Sequence, residues 1–180
     1  MNHEIVVESS LELKDVQELN LFFTRTSRVM LAVIFFVVFI GIILLVEGKL
    51  SGTLFGIVVL LDILVSLMLW FVNGWSIRRK SIKAFLSDQL IRQLHTFVFS
   101  GEGIQYASKS ETGKMFWTDI YEVRESRNLF LILLSTSRSL IVPKKFFASE
   151  PDRAAFRNMV ETNLEAEQVH WHRMRQNPDT

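Results

Sequence analysis

The sequence predicts an α+β membrane protein, in which a transmembrane α-helical hairpin is followed by a small β-barrel or sandwich that a C-terminal helix closes. Two observations predict this fold class. Two long apolar runs lie close together in the first half of the chain, and strand-like patterning replaces helical patterning from residue 96 onward. A run of strands that ends in one amphipathic helix is typical of a small domain with a single core.

The apolar runs predict transmembrane helices at about 29–46 and 53–73. Val29 to Val46 carries no charge, and Leu54 to Val72 carries only Asp62. Each run approaches the ~20 residues that a helix needs to cross ~30 Å of hydrocarbon. Each apolar residue of the second run favours insertion by about 0.3 to 0.6 kcal/mol. Their sum outweighs the roughly 2.5 to 3.5 kcal/mol by which one aspartate opposes insertion. Both runs are therefore expected to insert.

The basic residues predict a multi-pass protein with both termini in the cytoplasm. They flank the hairpin on its outer side: Arg25, Arg28, Arg78, Arg79, Lys80 and Lys83. The short link between the runs holds only Lys49, next to Glu47. Because Lys and Arg accumulate on the cytoplasmic side, the termini are expected there. The cluster at Arg78, Arg79, Lys80 and Lys83 has two readings: it sets the topology alone, or it also binds anionic lipid head groups.

Composition excludes several classes of function. The net charge is +1, so no global field favours nucleic acid, and no nucleic-acid partner is expected. The absence of cysteine excludes disulfides and thiolate metal sites. His170 and His172 are two apart, whereas helical metal sites use a spacing of four, so neither a metal nor another cofactor is predicted. No nucleophile motif is found, and an enzyme would need an unrecognised site.

The remaining elements follow from periodicity and caps. Ser149 is expected to cap a last helix, with Pro151 in its first turn and Asp152 three residues on. The predicted elements outside the hairpin are a strand at 5–7, helices at 11–23 and 78–94, and strands at 96–99, 104–107, 114–117, 120–124, 129–134 and 140–142. The predicted organisation is a cytoplasmic strand and helix (1–28), the hairpin (29–75), a juxtamembrane amphipathic helix (76–95), the folded domain (96–166) and a polar tail (167–180).

The folded domain contains four distinctive stretches: FVFSGEGIQY, FWTDIYEVRES, LFLILL and SLIVPKKFFASEPDRAAFRNMV. Their motif residues are Gly103, Ile104, Trp117, Ile120, Pro143 and Lys144. Together these stretches resemble the YcxB-like family of bacterial membrane proteins. The resemblance covers about Phe97 to Val160. It implies a cytoplasmic pleckstrin-homology-like (PH-like) domain joined to a two-helix hairpin, and a location in the bacterial inner membrane. It implies no established activity, catalytic residue or cofactor.

The motif residues also have structural readings. Trp117 and Ile120 are three apart, so a kink or bulge is needed for both to face the core, with Asp119 as a turn acceptor. Pro143 is expected to end a buried strand. Lys144 and the lysine that follows it are expected to be solvated.

Asp62 is the sharpest functional candidate, because an ionisable group at mid-membrane is rare. Gly52 and Gly56 form a Gly-x-x-x-Gly pair, and the spacing predicts that Ser66 continues the same helix face and that Asp62 flanks it. Three readings stay open: a helix contact in which a protonated Asp62 donates a hydrogen bond, no special role, and ion or proton transfer.

The predicted function is that of an integral membrane protein with a cytoplasmic interaction or regulatory module. Its expected partners are the lipid bilayer and either a second copy of the chain or another membrane protein. The alternatives are a small oligomeric transport or channel component that uses Asp62, and an unrecognised enzyme.

Overall fold

The computed structural model describes residues 4–46, 52–136 and 138–171. The chain divides into two compact units: residues 16–86 form a helical unit, and residues 1–15 with 87–180 form a β-sheet unit. The predicted link around Glu47 and Lys49 lies outside the described residues, as does His172.

The helical unit contains two long apolar helices. Helix α1 spans Leu13–Phe23, α2 spans Arg25–Val46 and α3 spans Gly52–Ser87. Helices α2 and α3 are long and apolar enough to cross a membrane. Most of their large apolar side chains are exposed, up to 89% for Leu45. The helices thus lack the burial that a soluble protein gives to its core helices.

Helix α3 is one continuous helix, which corrects the prediction of separate helices at 53–73 and 76–95. Asn73 and Gly74 do not interrupt it, because an isolated glycine lowers helix stability without breaking the hydrogen-bond ladder. The helix ends at Ser87. The Asp88 carboxylate then accepts the backbone N–H of Leu90 at 2.9 Å, a local bond that competes with continuing the helix.

Each long helix has one half-buried stripe. On α3 the stripe includes Phe55, Val59, Asp62, Ser66, Leu69 and Asn73, at alternating spacings of four and three residues. On α2 it includes Ala32, Phe36, Ile40 and Ile43. A cavity lined by residues of both helices, among them Ala32, Phe36 and Ser66, lies between the stripes. Spacings of four and three are those of helices packed side by side.

The β-sheet unit contains two four-stranded sheets. The strands are β1 (Ile5–Ser9), β2 (His95–Ser100), β3 (Gly103–Ala107), β4 (Thr112–Phe116), β5 (Glu122–Glu125), β6 (Leu129–Leu133), β7 (Ser139–Pro143) and β8 (Val169–His170). One sheet has the order β1-β2-β3-β4, and the other has the order β7-β6-β5-β8. Over the described residues the two sheets do not close into a barrel, so of the predicted alternatives the barrel is not formed.

The helical unit is inserted between two paired strands. Ile5 of β1 pairs with Phe99 of β2, and Ser9 pairs with His95, although the helical unit separates the two strands in sequence. The strand predicted within residues 1–28 is present as β1, and it pairs with β2 of the folded domain. Strand β1 belongs to the first sheet because Ile5 and Val7 are buried in the shared core.

The predicted polar tail also begins with ordered structure. Val169 pairs with Val123, and His170 with Arg124, in a short parallel ladder between β8 and β5. Trp171 packs against the core. The polar composition that predicts a tail here does not reveal a two-residue strand.

One aromatic core joins the sheets to the closing helix. Helix α4 spans Glu150–Asn163 and begins as predicted, with the Ser149 hydroxyl accepting the N–H of Asp152 at 3.2 Å. Phe156 of α4 is fully buried, with its ring centroid 4.8 Å from those of both Phe99 and Phe130. The first sheet, the second sheet and α4 thus meet at this ring, and such contacts add to the stabilisation from burial.

Candidate functional site

Gly103 lies where two strands approach too closely for a side chain. It follows the two-residue turn Gly101-Glu102 and pairs with Phe116. Its φ of +153° is unfavourable for other residues, and an added Cβ would lie 2.1 Å from the carbonyl oxygen of Met115. The next residue, Ile104, is fully buried. Gly103 therefore allows the close approach of β3 and β4, and Ile104 packs in the core.

Trp117 and Ile120 both face the core because the chain makes a turn between them. Residues Trp117–Asp119 form a 3-10 helix, and both predicted residues are buried. The Asp119 carboxylate accepts the N–H of Phe116 at 2.9 Å, which is the turn-acceptor role that the sequence predicts. The Trp117 indole N–H donates to the carbonyl of Ser100 at 3.0 Å.

Lys144 is buried, which corrects the prediction that it is solvated. Pro143 ends β7, and Lys144 opens a 3-10 turn with a side chain that is 8% exposed. Its ammonium lies 2.5 Å from Glu125 Oε1 and donates to the carbonyl of Ser126 at 2.8 Å. Burial of a lysine requires such partners, and they come from a different part of the sequence.

Arg157 completes this cluster from α4. Its guanidinium donates to the same Glu125 oxygen at 2.8 Å, and its charge lies 5.5 Å from the Phe130 ring centroid. The Lys144 ammonium lies 5.2 Å from that centroid. Burial opposes ionisation of Glu125, but the hydrogen bonds from Arg157 and Lys144 outweigh it and hold the pKa of Glu125 below its ordinary value. The sequence reasoning missed Glu125 and Arg157.

Lys145 is exposed, as predicted, but it is also paired with acidic side chains. Its ammonium lies 2.7 Å from Glu12 and 3.2 Å from Asp15, both of which follow β1 in the chain. Partial burial works against the charged form, but the two hydrogen-bonded carboxylates raise the pKa of Lys145. These three residues and the Glu125 cluster both use charged side chains to hold elements together.

A groove of about 220 Å³ lies on the β-sheet unit. It is lined by residues from β1, β2, β7 and their connections: Ser9, Leu11, Leu90, Ile91, His95, Phe97, Ser139, Leu140 and Ile141. Its side chains are mostly apolar, and its titratable group is the His95 imidazole. Strand β7 is an edge strand of its sheet. An apolar groove beside an edge strand suits an extended peptide better than a small polar substrate.

The predicted basic cluster lies along the last turns of α3. Arg78, Arg79, Lys80 and Lys83 are all exposed, and the Arg79 guanidinium stacks 3.6 Å from the Trp75 ring centroid. Arg78 also lines a cavity of about 620 Å³ in the helical unit, together with Arg28, Trp70 and Trp75. The sequence shows these charges, but it does not show that Arg28 and Arg78 share a cavity.

The predicted helix-contact residues separate into two sets. Asp62 is 1% exposed, and both of its carboxyl oxygens and the hydroxyl of Ser66 are buried without a hydrogen-bond partner. No hydrogen bond joins these two side chains. Gly52 and Gly56 lie elsewhere on α3, where an added Cβ would meet no atom within 4 Å. The prediction of a shared helix face is wrong for Gly56 and Asp62, which are six residues apart. At 100° per residue, the two positions lie about 120° apart around the helix axis.

Comparison with known proteins gives a family match within the β-sheet unit. Residues 99–160 match the family described as YcxB-like protein. The resemblance predicted from the sequence is confirmed. This segment is YcxB-like. The Bacillus subtilis (strain 168) protein named "Uncharacterized protein YcxB" is 27% identical over 90 residues, which are 50% of this chain and 49% of that relative.

The match leaves part of each protein outside the comparison. The chain spans about half the length of the curated relative that it matches. No solved structure matches the chain significantly. The YcxB-like segment contains all six predicted motif residues, together with Glu125 and Arg157. Within the described ranges, no group of three or more His, Asp or Glu side chains is placed to hold a metal ion.

Proposed function

We propose that this chain is a multi-pass protein of the bacterial inner membrane with both termini in the cytoplasm. Two observations support the proposal: α2 and α3 expose apolar side chains along most of their length, and the basic residues lie at one end of the hairpin. At 36 residues, α3 is about 54 Å long, which exceeds the ~30 Å hydrocarbon core. Its basic end therefore projects beyond the core on the cytoplasmic side.

A reporter enzyme that is active only in the periplasm tests this topology. Fused after Thr180, it should be inactive, and inserted near Gly48, it should be active. Activity at position 180 would overturn the orientation. Extraction of the protein from membranes by alkaline carbonate would overturn the insertion itself.

We further propose that the β-sheet unit is a PH-like module that binds a protein partner rather than a substrate. The family resemblance implies a PH-like domain, and two antiparallel-rich sheets with the closing helix α4 support this proposal. The observation that carries the binding role is the groove beside β7, whose apolar side chains include Leu90, Phe97 and Leu140. The partner segment is expected to be extended and apolar, and to add to the β7 edge.

Photo-crosslinking in native membranes tests the binding role. A photoreactive residue at Leu90, which is 59% exposed, should give a defined adduct with one protein. Val6 is the matched control, because it is 57% exposed and does not line the groove. Equal labelling at both positions, or none at Leu90, would contradict the proposal. An adduct with a second copy of the chain would identify the homo-oligomer among the predicted partners.

A further inference from the structure

We infer that the helical unit contains a binding site for the phosphate of one anionic phospholipid, built by Arg28 and Arg78 at the cytoplasmic end of the hairpin. This inference rests on the proposed membrane topology. The cavity of about 620 Å³ is lined by these two arginines, by Trp70 and Trp75, and by apolar groups that include Leu21 and Phe71. Its volume is in the range of small-molecule sites.

Arg28 is held in place within this cavity. One guanidinium nitrogen, Nη2, donates to the carbonyl of Leu21 at 3.1 Å, and the guanidinium carbon lies 5.9 Å from the Trp70 ring centroid. The other terminal nitrogen lies over Gly74, where an added Cβ would come within 3.2 Å of it. A guanidinium that is oriented before binding loses less side-chain entropy when it takes up an anion.

The positive charge in the cavity lacks an internal counter-ion. No acidic side chain lines the cavity, and neither Arg28 nor Arg78 forms an ion pair within the part of the chain that the structure describes. The Nε of Arg28 is buried without a hydrogen-bond partner. A half-buried cation is costly unless an anion compensates it. Phosphate oxygens match the fork geometry of arginine.

The walls and location favour a lipid over a free phosphate. Arg28 directly precedes the first apolar run, and Trp70 and Trp75 lie at the end of the second. This is the level at which indole rings and basic residues meet the lipid head groups. Leu21, Phe71 and Val72 add an apolar wall that can contact acyl chains. Basic pockets between membrane helices on this side bind anionic head groups.

Native mass spectrometry of the full chain tests the site. The protein is released from nanodiscs of phosphatidylcholine with added phosphatidylglycerol, and the lipids that it retains are counted. The wild type should retain one phosphatidylglycerol selectively. Arg28→Gln and Arg78→Gln should each lower this retention by about fivefold. Because Arg78 is exposed, its variant tests the site even if Arg28→Gln folds poorly.

Arg25→Gln and Lys80→Gln are the matched controls, since both residues are exposed and do not line the cavity. Equal losses in the controls would overturn the site in favour of diffuse attraction. Displacement of the lipid by millimolar inorganic phosphate, with no preference for the lipid, would overturn the lipid assignment. If the proposed membrane insertion is wrong, the protein will not enter nanodiscs. If only the site is wrong, it will enter them without selective retention.

Discussion

The ammonium of Lys144 lies 2.5 Å from Glu125 Oε1, and both side chains are buried. Arg157 donates to the same carboxylate oxygen from helix α4. One carboxylate in β5 thus joins the turn that follows β7 to the closing helix. The charges are placed against the Phe130 ring, so the pairing depends on the same core that packs α4.

The stability of the β-sheet unit can be measured by itself only if both of its segments are kept. A fragment that starts at residue 96 lacks β1, which contributes Ile5 and Val7 to the core. The joined domain connects residues 4–15 through a Gly-Ser linker to residues 87–171. Leu11 and Leu90 line the same groove, so a short linker suffices. Urea unfolding of this joined domain gives the free energies of unfolding considered below.

Breaking the buried pair should destabilise the joined domain strongly. Lys144→Met should lower the free energy of unfolding by about 3–5 kcal/mol, because Glu125 would lose one of its two cationic partners inside the core. Lys145→Met is the matched control: its ammonium is half exposed, and the loss should be within about 1 kcal/mol. Equal effects of the two variants would mean that Lys144 is solvated, as its sequence alone suggests.

The same cluster predicts a loss of stability in acid. The pKa of Glu125 is lower in the folded state than in the unfolded state, so the folded state favours its ionised form. Its contribution is present above the unfolded-state pKa of about 4.3 and is lost as the pH falls through the lowered folded-state pKa. Unfolding free energies of the joined domain should therefore fall below about pH 4, and less steeply in Glu125→Gln. Parallel curves for the two proteins would contradict this assignment.

Two glycines of one hairpin should respond differently to alanine. Gly103→Ala should destabilise the joined domain by at least about 1–3 kcal/mol through backbone strain, and the contact with Met115 adds to this loss. Gly101→Ala should change stability by less than about 0.5 kcal/mol, because an added Cβ meets no atom within 4 Å. A mild effect at Gly103 would show that the β3–β4 approach can relax.

The sequence predicts features that depend on neighbouring residues and misses those that depend on distant ones. The apolar runs, the Ser149 cap and the turn between Trp117 and Ile120 are read from local spacing. The partners of Lys144 are not, because Glu125 and Arg157 reach it only through the pairing of strands and the docking of α4. The pairing of β1 with β2 across the inserted helices is equally invisible to a local pattern.

Trp117 tests how much one motif residue contributes by packing. Trp117→Ala should lower the free energy of unfolding of the joined domain by about 3–5 kcal/mol, since the side chain is buried. Trp117→Phe keeps most of the apolar volume but loses the indole bond to Ser100, and it should retain a large part of the stability. An unchanged unfolding midpoint in the alanine variant would place Trp117 at the surface and favour a binding role.

The last prediction concerns Asp62, whose carboxyl oxygens are buried in the helical unit without a partner. An unsatisfied buried polar group costs about 1–3 kcal/mol. Asp62→Leu should therefore leave the melting temperature of the full chain in detergent unchanged or raise it. Asp62→Asn should not raise it, because the amide leaves polar atoms equally unsatisfied. Ser66→Ala is the companion variant, and it should also be tolerated.

The opposite result would support one of the functional readings of Asp62. If Asp62→Leu lowers the melting temperature while Asp62→Asn does not, the carboxyl hydrogen-bonds a group outside the single chain, which supports a helix contact with a second copy. If both variants keep their stability but abolish a proton flux in liposomes, transport becomes the function of this helix pair. If neither variant changes the melting temperature or the proton flux, Asp62 has no special role. The apolar residues of the second run would then favour insertion enough to accommodate one aspartate.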